Sequence, residues 1–125
     1  ANPSSDNQLA RKAYVDSVAQ GASWHDSCKA ATTANITLSG TQTVDGISLS
    51  ADDRCLVKNQ SSSAENGIYL VKAGAWARAA DQNAAGEFDG AAVFVTGGTV
   101  NGEHGFVCTT TVSNVGSDAV SWTQW

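Results

Sequence analysis

Three stretches of this sequence hold residue types from which sites are built. The run Lys58–Val71, "KNQSSSAENGIYLV", gathers Asn59, Gln60, a serine triplet and Glu65, which are donors and acceptors suited to sugar hydroxyls. His25-Asp26-x-Cys28 sets three metal-ligand types close together, and Asp52-Asp53 sets two carboxylates side by side. The tryptophans Trp24, Trp76, Trp122 and Trp125 add flat apolar faces that stack on sugar rings or anchor interfaces when exposed.

Most of these signals read as architecture. In a strand His25 and Asp26 point to opposite faces, and no second cluster completes a tetrahedral ligand set. His104 stands alone within "GEHG". No metal and no cofactor is expected. Adjacent acids in "SADDRC" read as a turn, with one acid free to meet Arg54 or Arg78. Glycosidase chemistry needs two carboxylates facing across a sugar, roughly 5 to 9.5 Å apart. With two histidines, no G-x-S-x-G elbow and no glycine-rich phosphate loop, catalysis is not expected.

The polar loop has two readings. Asn59, Gln60 and Glu65 are candidate surface contacts for a ligand. Alternatively, serine and asparagine side chains satisfy the loop backbone while Asn66-Gly67 turns the chain. The second reading is favoured, so the loop is expected to be mainly a bend. Of the tryptophans, Trp24 and Trp76 are expected in the core. Strict alternation separates Trp122 from Trp125, one inward and one outward, with terminal Trp125 the exposed ligand-contact candidate.

Composition narrows the classes. A chain of 125 residues that is 42% hydrophobic can bury a core as one unit. The net charge is −5 and the seven basic residues are scattered, which disfavours nucleic acid and anionic membrane surfaces as partners. No apolar run approaches the roughly 20 residues of a membrane span, so no membrane insertion is expected. The chain starts at Ala1, has no signal-peptide pattern and contains no methionine, which suggests a processed product or a piece of a longer polypeptide. Cys28, Cys55 and Cys108 are odd in number and lie in or beside apolar β-like runs. One bridge is open to them, but reduced core thiols fit better, as in a protein assembled in a cytoplasm.

The elements that position these residues fall into two parts. Residues 1–21 carry capping candidates Ser4, Ser5 and Asp6, then a helix-compatible run ending at Gly21. Leu9, Ala10, Ala13, Tyr14 and Val18 form an apolar stripe on it, too short to be stable alone, so it packs either as a lid on its own β domain or on copies of itself, and it is a candidate oligomer interface. Residues 22–125 read as β. The runs "NITLS", "RCLVK", "GIYLVK", "AVFVT", "GFVCTTT" and "AVSWTQW" are separated by turn pairs such as Asp45-Gly46, Asn66-Gly67, Asp89-Gly90 and Asn101-Gly102. With no βαβ alternation, the expected fold is mainly β. It is a small antiparallel sandwich or barrel preceded by one short N-terminal helix.

The segment "NPSSDNQLARKAYVDS" resembles an "NP-x-x-D-x-x-x-A-x-KAYVD" segment of bacteriophage tail fibres and related appendages. Asn2-Pro3, Asp6 and Lys12-Ala13-Tyr14-Val15-Asp16-Ser17 carry the match, and Arg11 replaces a small polar residue. Trp24–Gln60, Ser63–Asp81 and the closing "SWTQW" are similar to a small β domain of virion proteins, with "DR-x-LVKNQ…ENGIY" the most specific combination. Cys28, Cys55 and Cys108 stand where that family has apolar residues. The resemblance implies a non-enzymatic virion component, displayed for host attachment and forming a homotrimer with itself. Other virion proteins, and a host cell-surface glycan, are the implied partners. A carbohydrate-binding module with a defined pocket and a capsid-decorating or head-fibre protein are the alternatives.

Overall fold

The computed structural model describes residues 23–124. The expected helix over 1–21, with Leu9, Ala10, Ala13, Tyr14 and Val18, lies outside them, as does Trp125. The described chain is mainly β, with two single 3-10 turns at Ser63–Glu65 and Ala85–Glu87. Its strands are β1 (Ser23–Trp24), β2 (Ala30–Ala31), β3 (Thr43–Val44), β4 (Ile47–Ser48), β5 (Arg54–Val57), β6 (Gly67–Leu70), β7 (Ala77–Arg78), β8 (Ala91–Val95), β9 (His104–Cys108) and β10 (Trp122–Gln124). They form one sheet of order β1-β8-β9-β10, a second of order β2-β5-β6-β7, and the ribbon β3-β4.

Five of the six expected runs contribute strands. "NITLS" does not: its only β feature is an isolated bridge from Ser39 to Ala75, while Ile36 and Leu38 pack half-buried on the core. The ribbon forms instead at Asp45-Gly46, whose φ angles of 51° and 81° give the left-handed backbone of a tight hairpin turn.

Nor is the pairing wholly antiparallel. β1 runs parallel to β8, and β2 runs parallel to β5. Both parallel strands belong to one stretch, residues 23–31. Cys28 also bridges Val95 in parallel, with its N–H on the Phe94 carbonyl at 2.9 Å and its own carbonyl accepting from Thr96. The stretch leaves one sheet and joins the other, and so laces them along a shared side.

Strand alternation sorts the core. Ala31, Leu56 and Ile68 point from the second sheet toward Val93, Val95 and Phe106 of the first, and together with Cys28 and Ala79 they form one cluster. Ala30, Cys55, Val57, Tyr69 and Val71 point the other way. There Val44, Leu49 and Trp76 cover them, flanked by Ile36, Leu38 and Ile47. The second sheet is therefore buried on both faces, which is why "RCLV" and "GIYL" read as near-continuous apolar runs. A third cluster of Phe88, Ala91, Cys108, Val112 and Val120 closes one end. Fully burying side chains such as Phe88 or Leu56 contributes about 1.5–3 kcal/mol each.

Candidate functional site

The Lys58–Asn66 loop joins β5 to β6 and turns two of its polar side chains, Gln60 and Asn66, inward. Gln60 is 8% exposed. Its Oε1 accepts from the Ile36 N–H and its Nε2 donates to the Ile36 carbonyl, each at 2.9 Å. The side-chain amide thus pairs with one residue as a neighbouring strand would. Its Nε2 also reaches Glu65 Oε1 at 3.2 Å. Asn59 is exposed, and its Oδ1 accepts from Thr32 Oγ1 at 3.1 Å and from Lys58 Nζ at 3.2 Å. Glu65 is exposed at the end of the 3-10 turn, and the Tyr69 hydroxyl donates to its carbonyl. Of the three candidate ligand contacts in this loop, Gln60 is corrected to an interior brace, and Asn59 and Glu65 remain at the surface.

Asn66-Gly67 is not a two-residue turn. Asn66 is extended (φ −65°, ψ 152°), and Gly67 already pairs with Val57. A nine-residue loop makes the bend, and Asn66 anchors it: Oδ1 accepts from the Gln60 N–H and Nδ2 donates to the Val120 carbonyl, both at 3.0 Å. Arg78 clamps the same point. It donates from Nη1 to the Asn66 carbonyl at 3.0 Å and from Nη2 to the Ala64 carbonyl at 2.8 Å. Its guanidinium lies 5.1 Å from the Tyr69 ring centre and 5.5 Å from that of Phe88.

A second polar centre gathers around Asp81. Arg54 forks onto it, Nη1 to Oδ1 at 3.2 Å and Nη2 to Oδ2 at 3.1 Å, and also donates to the Asp26 carbonyl from Nε and Nη2. His25 Nδ1 stands 3.2 Å from Asp81 Oδ2. Burial opposes the charge on Asp81, but the hydrogen bonds and charge of Arg54, with His25 behind them, prevail and hold its carboxyl below the usual range. Asp26 contributes only its backbone, and among the described residues no group of three or more His, Cys, Asp or Glu could hold a metal ion.

Cys28 lies beside Arg54 and Asp81 at this centre. The thiol is 1% exposed, and burial pushes it far above its ordinary value despite the nearby guanidinium of Arg54. Burial likewise pushes Cys55 up to about 12 and raises Cys108. These are protonated, inert thiols, all free and buried. The centre is a clamp: it fastens the sheet-switching stretch to β5 and to the turn after β7.

Asp52 and Asp53 meet neither Arg54 nor Arg78. Asp52 pairs with Lys72, while Asp53 accepts from the Ser50 N–H at 2.7 Å and from Lys29 at 3.2 Å. The Ser50 hydrogen bond is the main cause that holds Asp53 below its ordinary value. Trp76 is in the core as expected, with its indole N–H on the Gly40 carbonyl at 2.8 Å. Trp24 is not; it is 45% exposed on β1 at the edge of its sheet. Trp122 packs half-buried between two of the clusters.

Asp81 and Asn101 were invisible in sequence as organising residues. Their partners are distant in the chain: Arg54 lies 27 positions from Asp81, and the Ala31 carbonyl 70 positions from Asn101. No family model, no curated protein and no solved structure matches this chain.

Proposed function

We propose that this chain is a non-enzymatic structural module of a bacteriophage virion, carried on a tail fibre or related appendage and displayed for host-surface attachment. The sequence segments around "KAYVD" and "LVKNQ…ENGIY" suggest the class. The observation that carries the non-enzymatic, scaffolding part is the use of polar groups in the 58–66 loop. Of the candidate contacts Asn59, Gln60 and Glu65, Gln60 is buried, and with the turn residue Asn66 it is hydrogen-bonded to other parts of the domain, while Asn59 and Glu65 stay at the surface. A loop so committed holds a shape.

In this reading the two sheets form a sandwich laced by residues 23–31. The stripe Leu9, Ala10, Ala13, Tyr14 and Val18 joins symmetry mates in a homotrimer, and other virion proteins hold the trimer on the particle. Attachment comes from weak contacts multiplied by copy number. The protein assembles in the host bacterial cytoplasm, where its thiols stay reduced. Two heptads of helix contact are too little to hold a trimer without help from the β domains.

Two measurements test the reading. Sedimentation velocity at micromolar concentration is expected to give a trimer for the whole chain, and a folded, monomeric or weakly associating domain once residues 1–20 are removed. A monomeric whole chain would refute the trimer. Antibody labelling of purified particles is expected to mark an appendage; unlabelled particles would refute the virion assignment.

A further inference from the structure

Asn66-Gly67 and Asn101-Gly102 are the two asparagine–glycine pairs of the sequence. Such pairs are chemically labile, because a following glycine leaves its amide nitrogen unhindered. That nitrogen attacks the asparagine Cγ; the new N–Cγ bond forms, the Cγ–Nδ2 bond breaks, and ammonia departs with the proton released from the glycine nitrogen. Water then opens the resulting succinimide at either carbonyl to give aspartate or isoaspartate. No oxidant or enzyme is required.

Packing calls for both pairs. A Cβ on Gly67 would stand 2.5 Å from Arg78 Nη1, and a Cβ on Gly102 would run into the backbone of Gly98. The asparagines are equally committed. Asn66 is 4% exposed and ties the β5–β6 loop to the segment leading into β10 through the Val120 carbonyl. Asn101 is 2% exposed, and its Nδ2 donates to the carbonyls of Ala31 and Thr32, each at 3.1 Å, tying the β8–β9 loop to the sheet-switching stretch. Its backbone N–H donates to Asp45 Oδ2 at 2.8 Å.

We propose that Asn66 and Asn101 are latent deamidation sites gated by the fold: unreactive while their carboxamides are seated, and irreversibly modified when the loops open. Ring closure requires the carboxamide to leave its partners and Cγ to swing onto the next nitrogen. Once Nδ2 has become an oxygen, a carboxylate faces the Val120 carbonyl, or those of Ala31 and Thr32, and the loop cannot reseat. The folded state thereby protects a weak point that its own packing imposes, and each opening carries a chance of permanent damage.

Peptide-mapping mass spectrometry tests this on the intact chain at mildly alkaline pH, in buffer and in urea. Synthetic peptides covering residues 60–72 and 97–108 supply the unprotected rates. The chain in urea is expected to convert as the peptides do. The folded chain is expected to convert on the order of 100-fold more slowly at both positions, because reaction waits on rare local opening. Conversion of the folded chain at the peptide rate would overturn the gating at that position. Asn66→Asp and Asn101→Asp, which place the product chemistry in the seated loops, are expected to lower the thermal midpoint; an unchanged midpoint would overturn the claim that a modified loop cannot reseat.

Discussion

Gly67 is bare where Arg78 needs room: a Cβ at position 67 would come within 2.5 Å of the guanidinium Nη1, on backbone with φ 150°. The guanidinium cannot simply swing aside, since two carbonyls and two aromatic rings hold it. Gly67→Ala is therefore expected to cost about 1–3 kcal/mol, the scale of breaking buried hydrogen bonds with added backbone strain. In an Arg78→Ala background the same change should cost less. A double-mutant cycle read by urea denaturation checks this, and strictly additive costs would show that the two residues are not coupled.

Gln60→Ala removes an amide that stands in for a strand partner of Ile36. It is expected to destabilise the domain by about 1–3 kcal/mol, because the Ile36 N–H and carbonyl lose their partner in a part-buried site. Asn59→Ala, at an exposed position, should cost less. Comparing the two by thermal denaturation separates a brace from a surface contact; equal, negligible effects would contradict the interior role of Gln60.

The Asp81 clamp has a definite pH signature. Its carboxyl titrates lower in the folded chain than in the unfolded one, so the stability it contributes is present above the unfolded value near 3.9 and is lost as pH falls through the folded value. Asp81→Asn should lower stability at neutral pH by about 1 kcal/mol, the scale of a partly exposed ion pair. It should also flatten the acid limb, so that the two proteins converge as pH falls from the unfolded value through the lower folded value. Denaturation midpoints measured from neutral to acid pH check this; a constant offset at every pH would assign Asp81 a role other than charge.

Thiol titration is expected to find Cys28, Cys55 and Cys108 slow to label in the folded chain and fast in denaturant, with no intramolecular bridge in the mass spectrum. Each side chain is almost wholly buried and its thiol is held in the protonated form. Rapid native labelling at two or more positions would contradict the packing of the clusters.

Local pattern carried much of the fold. "RCLVK", "GIYLVK", "AVFVT" and "GFVCTTT" show their strands because β-branched and aromatic side chains fit a pleated, buried surface, and Asp45-Gly46 shows its hairpin because few other pairs accept two positive φ angles. "NITLS" misled because alternation records burial, and Ile36 and Leu38 are buried as a cover over the second sheet, held by Gln60 rather than by a strand ladder. Trp24 misled for the opposite reason: a large apolar residue has no local mark that tells an edge from a core.

From local pattern the chain reads as β-rich, with scattered basic residues, cysteines set in apolar runs and a tight hairpin turn at Asp45-Gly46. These follow from side-chain size, charge and backbone freedom, all properties of neighbours along the chain. Tertiary structure alone decided that residues 23–31 cross from one sheet to the other in parallel, that Asp81 joins Arg54 and His25, and that Gln60 and Asn66 face inward. In each case the partner lies far along the chain, as Val120 does from Asn66 at 54 positions, and a hydrogen bond across that separation leaves no periodic trace in the residues between.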